Sequence, residues 1–563
     1  MTDSTEQAGT AMQSTSSLPQ DSSFKHDNTA VAGDISTMGS VNSLKKGHKH
    51  SSGDSTTENE PETDVEADHS SALHSQPQEK APAQDPSSLE MGGPPTSFDD
   101  PRDMRNPKHW GMLVRIFHTI IPGVLAFQIT FSTSIMIPAL AQIMYEFQVN
   151  RTVALLTLTL YTLGLAFGPP VIAPLSEVFG RKYVYLFSST AFLIFTGCCT
   201  AMHNFAGLLV MRFLAGFFGS SALATGAGTI ADVWGLSKAG AYAGLLFILG
   251  PFLGPTLGPL AGAYIMESHS DWRWTLYTTL ILAAPIWLAT AVMRETSKVW
   301  ILRNEPGHEL DISASKIGGV LRTALTKPIK MLLTDSVVLV LALYSAYAYA
   351  LVFSYFASTS FILQLFYRFT LREVGLSFIA VIIGYIVATA MFGVFTNRVE
   401  GHAAKLGRPP RPELRLLSAC VGSILLPASL FWYAWEVHVG GKWAAEVASG
   451  ILFGWGAFSI FLSIIIYQVE FFGAESGASA IATLCLAANL NSLIPALAAN
   501  GVIRYIMGAV FPLFTVQMYE NLGVHWAGST FAFLAVGMIP IPFLLYRFGE
   551  KLRKRSKFTI TTQ

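Results

Sequence analysis

The chain has 563 residues, of which 51% are hydrophobic and only 13% charged, and its mean hydropathy is +0.43. Soluble domains carry about 25% charged residues, so the composition excludes an ordinary soluble protein and indicates a membrane protein. The balance of 37 basic and 37 acidic residues hides a split: residues 1–109 hold 8 Lys and Arg against 18 Asp and Glu, which leaves 29 against 19 for the remainder.

Residues 1–109 are rich in Ser, Thr, Gln and Pro and carry an acidic run from Asp54 to Asp68. Such a segment cannot bury enough apolar surface to fold, and it lacks the basic and apolar regions of a signal peptide. It reads as a disordered acidic cytoplasmic tail. Apolar stretches of about 20 residues, enough to cross a bilayer, then follow near 116–140, 152–173, 183–201, 205–228, 240–265 and 274–293, a first six-helix half over 110–293. A polar loop over 294–335 contains Arg294, Lys298, Arg303, Lys316, Arg322, Lys327 and Lys330. The second half, 336–548, has spans near 337–361, 374–396, 414–435, 444–468, 479–518 and 524–546, and 549–563 form a basic tail. The expected fold is an all-α membrane protein of twelve transmembrane helices in two six-helix bundles. Basic loops stay in the cytoplasm, which predicts that both termini are cytoplasmic.

Within the fifth span, Leu249 to Gly262 place Pro251, Pro255 and Pro259 four residues apart, with Gly250, Gly254, Gly258 and Gly262 beside them. Residues four apart share a helix face, so one face is nearly bare of side chains and lets another helix approach closely. In water the prolines would break the helix at about 3 kcal/mol each; in a bilayer neighbouring helices shield the freed carbonyls. The eleventh region, from Gly477 to Met518, is twice the length of a span. It is either a broken or re-entrant helix or contains additional residues from Ile481 to Ala496. The four cysteines, Cys198, Cys199, Cys420 and Cys485, lie in apolar segments and read as buried small side chains.

Several runs together resemble the major facilitator superfamily, in the fungal-type, twelve-span drug:proton antiporter branch. They are AlaProLeuSerGluValPheGlyArgLys from Ala173, LeuValMetArgPheLeuAlaGlyPhePheGly from Leu209, the Gly-Pro run, AspTrpArgTrp from Asp271, ArgGluThr from Arg294, ArgProGluLeuArgLeu from Arg411, PhePheGlyAlaGluSerGlyAlaSerAla from Phe471 and PheProLeuPhe from Phe511. The resemblance covers roughly Pro107 to Lys557. Two departures stand out: the loop after span two reads Ser176, Glu177 with Arg181 further on, where many members have an aspartate closely followed by an arginine, and the segment from Ile481 to Ala496 has no counterpart in the family pattern.

Arg212 lies inside an apolar span, where a cation costs at least ~2.5 kcal/mol on insertion scales; it is either functional or a structural arginine satisfied by backbone carbonyls. The resemblance implies that it assists proton movement by favouring the ionised form of a nearby acid. Glu177, Arg181 and Asp232 are expected to meet at the cytoplasmic face as a charge latch, with Arg504 as a further partner, or else to be solvated surface charges. The resemblance also assigns the Gly-Pro residues to the hinge and seal between the halves that separates exporters from importers. A midplane cavity between the halves makes Gln128, Tyr161, Tyr344, Tyr347, Tyr349 and Tyr355 substrate candidates, since rings with few charges suit a bulky apolar ligand; helix packing is the alternative for each tyrosine. Asn150 opens an acceptor sequence for glycosylation. No cofactor, metal spacing or nucleotide-binding loop is read from the chain, so the proton gradient is the expected energy source. Protons, lipid and a hydrophobic small molecule are the expected partners, with no nucleic acid and a monomeric pump. The resulting expectation is a non-enzymatic, proton-coupled plasma-membrane exporter of a drug, fungicide, toxin or secondary metabolite. A proton-coupled importer of a small organic solute and a non-transporting sensor are the alternatives.

Overall fold

The computed structural model describes residues 98, 100, 103–235, 237–304, 314–407, 411–437, 442–472 and 490–555. The acidic tail up to residue 97, Cys485 and most of the segment from Ile481 to Ala496 lie outside the described residues. Cys198, Cys199 and Cys420 are free thiols.

Ten helices long and apolar enough to cross a membrane come first: α1 (Met112–Phe147), α2 (Arg151–Phe179), α3 (Arg181–Thr200), α4 (Phe205–Trp234), α5 (Ala239–His269), α6 (Arg273–Val292), α7 (Ser336–Phe366), α8 (Leu371–Lys405), α9 (Pro412–Glu436) and α10 (Trp443–Phe471). The eleventh candidate, Leu497–Leu552, has 56 residues. At 1.5 Å per residue it is roughly 84 Å long, more than twice the ~30 Å of a hydrocarbon core. Gly523, at φ 75° and ψ 161°, breaks it, giving α11 (497–522) and α12 (524–552). Twelve crossings in two sets of six result. The helical residues leading into α11 are described from Leu490 onward, inside the segment from Ile481 to Ala496.

Local chemistry sets several starts. The side chain of Asn150 accepts the Val153 amide at 2.9 Å, so the glycosylation candidate is an exposed helix cap. Asp335 caps α7 by accepting the Val337 amide at 2.9 Å, and Thr370 with Glu373 forms a capping box at the head of α8. The loop expected between the halves contains a helix, Ala314–Thr334. Leu321, Leu325 and Ile329 recur there four residues apart among lysines and threonines, while Met331, two positions on, is fully buried.

In the first half, α1 packs on α5 and α2 on α4; in the second, α7 packs on α11 and α8 and α9 on α10. Across the halves, α2 meets α11 and α5 meets α8. The α1–α5 contact explains the glycine spacing. A Cβ at Gly254 would lie 2.6 Å from both the Phe127 carbonyl oxygen and the Phe131 nitrogen, one at Gly258 2.9 Å from the Ile135 nitrogen, and one at Gly250 3.2 Å from the Gly123 oxygen; one at Gly262 would collide with the Ile135 oxygen. The glycine stripe therefore lies backbone to backbone on α1 of its own half. The stripe's direct partner is thus α1, while Pro259 of the same run lines the wall shared with the second half. The physical reason is the prolines: Pro259 has no N–H for the Pro255 carbonyl, and the Ser134 hydroxyl on α1 donates to that oxygen at 2.8 Å instead. The second half is met by other α5 residues, Phe252, Leu260 and Ala263.

Replacing Gly254 by leucine should force α1 and α5 apart and lower the melting temperature and yield in detergent, because backbone atoms cannot yield as a flexible side chain can. Ser134→Ala should cost about 1 kcal/mol, the scale of an interhelical hydrogen bond in a membrane. A melting curve unchanged by Gly254→Leu would contradict the contact.

Candidate functional site

The face at which the chain enters α1 and leaves α12 is here the tail face, and the opposite one the far face. On the tail face, Gly180 turns the chain from α2 into α3 at φ 91° and ψ 151°, a region open essentially to glycine alone. The Glu295 carboxylate sits beside it and accepts the Arg181 and Lys182 amides at 2.8 and 3.0 Å, satisfying two of the orphan donors of α3. Arg181 pairs with Asp232 at 3.1 Å and donates to Ser176 Oγ at 3.0 Å; its guanidinium lies 2.5 Å from where a Cβ on Gly228 would project. Glu177 is half-buried and faces the same guanidinium at longer range. Three of the four expected latch residues are thus brought together.

Arg504 is not among them. Its guanidinium lies over the rings of Tyr505, Phe461 and Tyr349 at 4.7, 4.8 and 5.3 Å from their centroids. Tyr349 and Phe461 also pack on Phe252 of α5 with centroids 5.5 and 4.4 Å away. Phe458 and Tyr385 complete this aromatic plug between the halves, at 4.8 and 5.6 Å from Phe252. Phe252 belongs to the Gly-Pro run but carried no sequence signal of its own beside the glycines and prolines.

The second half repeats the tail-face arrangement in residues that sequence reasoning passed over as family motif alone. Arg415 is 1% exposed and pairs with Glu400 at 3.1 Å and Glu470 at 3.2 Å. The signal available was an arginine in the first turn of α9 and an acid at the end of α10, matching Arg181 and Asp232 in the first half.

Arg212 is fully buried. It donates to the Ser132 carbonyl at 2.9 Å and the Thr157 carbonyl at 3.2 Å, and its guanidinium lies 4.2 Å over the Tyr161 ring. Ser132 precedes the point where α1 tightens into a 3-10 turn at Ile137–Ala139, and carbonyls lose their regular partners at such a change. Arg212 brackets α1, α2 and α4 through these oxygens, and no carboxylate among the described residues forms an ion pair with it. Tyr161 in turn donates to the Ile129 carbonyl at 2.8 Å.

The other substrate candidates also face neighbouring helices. Gln128 donates to the Thr279 carbonyl of α6 at 3.1 Å, Tyr347 donates to the Phe531 carbonyl of α12 at 2.5 Å, Tyr355 stacks on Phe453 at 4.4 Å, and Tyr344 is buried against α9. Tyr349 alone reaches the seam between halves. The large cavity lies nearer the far face, has a volume of about 510 Å³, and is lined by none of these six. It is bounded by the end of α1, the start of α2, Pro259 of α5, the end of α7, the start of α8, and Pro512 and Val516 of α11. Its polar side chains are Arg151, Ser360, Gln364 and Arg368. α2 and α11 close its floor, where Thr159 donates to the Ala509 carbonyl at 3.0 Å.

One buried acid was missed. Glu446 of α10 is fully buried, and among the described residues neither carboxylate oxygen has a hydrogen-bond partner. Tyr355 of α7, Tyr433 and Glu436 of α9 and Tyr519 of α11 surround it. A lone acid near the start of an apolar span was the available signal.

Comparison with known proteins matches the chain to the model of the Major Facilitator Superfamily over residues 123–494. It is 34% identical to the efflux pump radE of Floropilus chiversii, covering 91% of this chain and 96% of that protein. It is 32% identical to polyamine transporter 4 of Saccharomyces cerevisiae, over 90% of this chain and 78% of the relative. The crystal structure of the human organic anion transporter MFSD10 superposes with a TM-score of 0.53 at 15% identity, covering 78% of this chain and all of that one, a likeness of fold.

Gly180→Ala should lower stability by about 1–3 kcal/mol through its backbone conformation alone, and by more because its Cβ would lie 2.6 Å from Glu295 Oε2. A melting curve of the purified variant in detergent reads this; an unshifted midpoint would contradict the turn geometry.

Proposed function

The chain belongs to the Major Facilitator Superfamily and is a multi-pass membrane transporter; from that premise we propose that it is a proton-coupled exporter of hydrophobic small molecules. It works as a monomer in the plasma membrane with both termini in the cytoplasm. The observation that carries this reading is the asymmetry of the path between the halves. A largely apolar cavity of about 510 Å³ lies toward the far face, while the Phe252 plug and the Arg181–Asp232 pair close the tail face. With the tail face cytoplasmic, this is the state from which an exporter releases its cargo. Relatives named as efflux pumps support the direction.

The proton is carried by acids that face guanidinium or tyrosine groups. Protonating Asp232 removes the charge that holds Arg181 and loosens the tail face, a bistable element biased by charge. Glu446, buried beside three tyrosines and with no donor to its carboxylate among the described residues, is a second site for the proton. Arg212 holds α1, α2 and α4 in register for the movement.

The test is dye retention in a host that lacks its own pumps. Expressing cells loaded with an apolar dye should expel it, and a protonophore should abolish the expulsion. Arg212→Ala should stop efflux, and Asp232→Asn should still exchange dye down its gradient while losing gradient-driven export. Export that persists undiminished in the presence of the protonophore would overturn proton coupling; retention of dye with surface expression, together with uptake of organic solutes, would favour an importer.

A further inference from the structure

Four arginines lie near the far face beyond the buried Arg212, and they fall into two groups. Arg273 pairs with Glu146 at 2.7 Å, and Arg372 pairs with Glu267 at 2.5 Å. Neither lines the cavity. Arg151 and Arg368 both line it, and neither forms an ion pair among the described residues. The acid that interacts with Arg151, Glu520, is exposed and beyond ion-pair reach. Among the described residues no aspartate or glutamate lines the cavity, whose other polar side chains are Ser360 and Gln364. Arg368 ends α7 at φ 59°, in the left-handed conformation that commonly terminates helices.

The two cations belong to different halves, Arg151 to the start of α2 and Arg368 to the link between α7 and α8. The rest of the wall is apolar, with Phe353, Phe361, Leu155 and Leu158 among its side chains. Resting on the export reading above, we propose that this cavity binds amphipathic organic anions, molecules with an apolar body and a carboxylate or sulfonate that Arg151 and Arg368 receive from opposite halves. Arginine suits this task because its planar fork of donors matches carboxylate geometry and stays charged at all working pH values. A cavity of about 510 Å³ falls in the range of pockets for drug-sized ligands. A polycation meets two like charges and no counter-charge there, so the polyamine chemistry in the name of one relative is disfavoured at this site. An anion bridging the two guanidinium groups also draws the halves together over the cavity and couples occupancy to closure.

The test uses the full chain in lipid nanodiscs with two fluorescent probes of similar size, fluorescein as the anion and rhodamine 6G as the cation, read by fluorescence anisotropy. Fluorescein should bind about tenfold or more tightly than rhodamine 6G, and Arg151→Gln and Arg368→Gln should each weaken it about tenfold, the scale of one charge-assisted hydrogen bond. Arg151→Lys and Arg368→Lys should weaken it less, and Arg368→Glu should shift the preference toward rhodamine 6G. Melting curves of the variants distinguish lost contacts from lost folding, and both lysine variants keep the charge if the glutamines fail to fold. Equal or tighter binding of rhodamine 6G, no binding of fluorescein, or fluorescein binding that ignores both arginines would overturn the assignment. Fluorescein bound through the arginines but never moved outward by expressing cells would uphold the site and refute the export reading.

Discussion

No backbone polar group can be left without a partner in hydrocarbon, and α5 is where this chain meets that constraint most severely. Three prolines within nine residues remove three helical donors from one span. The span survives because its glycine stripe lets α1 lie against it backbone to backbone, close enough for Ser134 to donate to the Pro255 carbonyl. The same rigid pair then presents its other side to the second half. Phe252 enters the cluster of Tyr349, Tyr385, Phe458 and Phe461, Leu260 lies under Gly375, and Pro259 forms part of the cavity wall. The pair of α1 and α5 thus meets the aromatic surface of the second half as one packed unit.

The charged residues follow the same logic of partners. Arg212, fully buried, is satisfied by carbonyls and a tyrosine face. Arg181 and Arg415 each hold carboxylates at the tail face, one in each half. Arg273 and Arg372 are neutralised at the far face, and Arg372 with Glu267 ties α8 to α5 across the halves. Tail-face pairs and the aromatic plug hold one end shut, while at the other end two arginines remain without acids beside an apolar cavity. On the proposed reading, transport reverses that difference between ends, and the tail-face carboxylates are the groups whose charge a proton would cancel.

The spans were legible because stretches of about 20 apolar residues admit few other readings, and the Arg181–Asp232 encounter because Arg181 opens one span and Asp232 closes the next. The glycine spacing announced a close helix contact but not its partner: a bare stripe says how near a neighbour comes, and only the freed Pro255 carbonyl and Ser134 say which neighbour. The tyrosines were harder still. α7 is apolar all round and buried on most sides, so its periodicity does not distinguish a face toward the cavity from one toward α9 or α12, and Tyr344, Tyr347 and Tyr355 went to the helices. The Glu295 cap on α3 joins residues more than a hundred positions apart, and Arg151 and Arg368 meet one cavity only once the two halves are assembled. Neither arrangement has a local signature.

The central claim is that substrate and proton move in opposite directions through this chain. It is tested most directly by reconstituting the purified protein into liposomes with an acidic lumen and a trapped pH indicator, then adding from outside the dye that expressing cells expel. An antiporter takes up the dye as protons leave, so the lumen becomes alkaline in step with dye entry, and Arg212→Ala removes both signals. Dye entry with no change in lumen pH, or with protons moving in the same direction as the dye, would contradict the account.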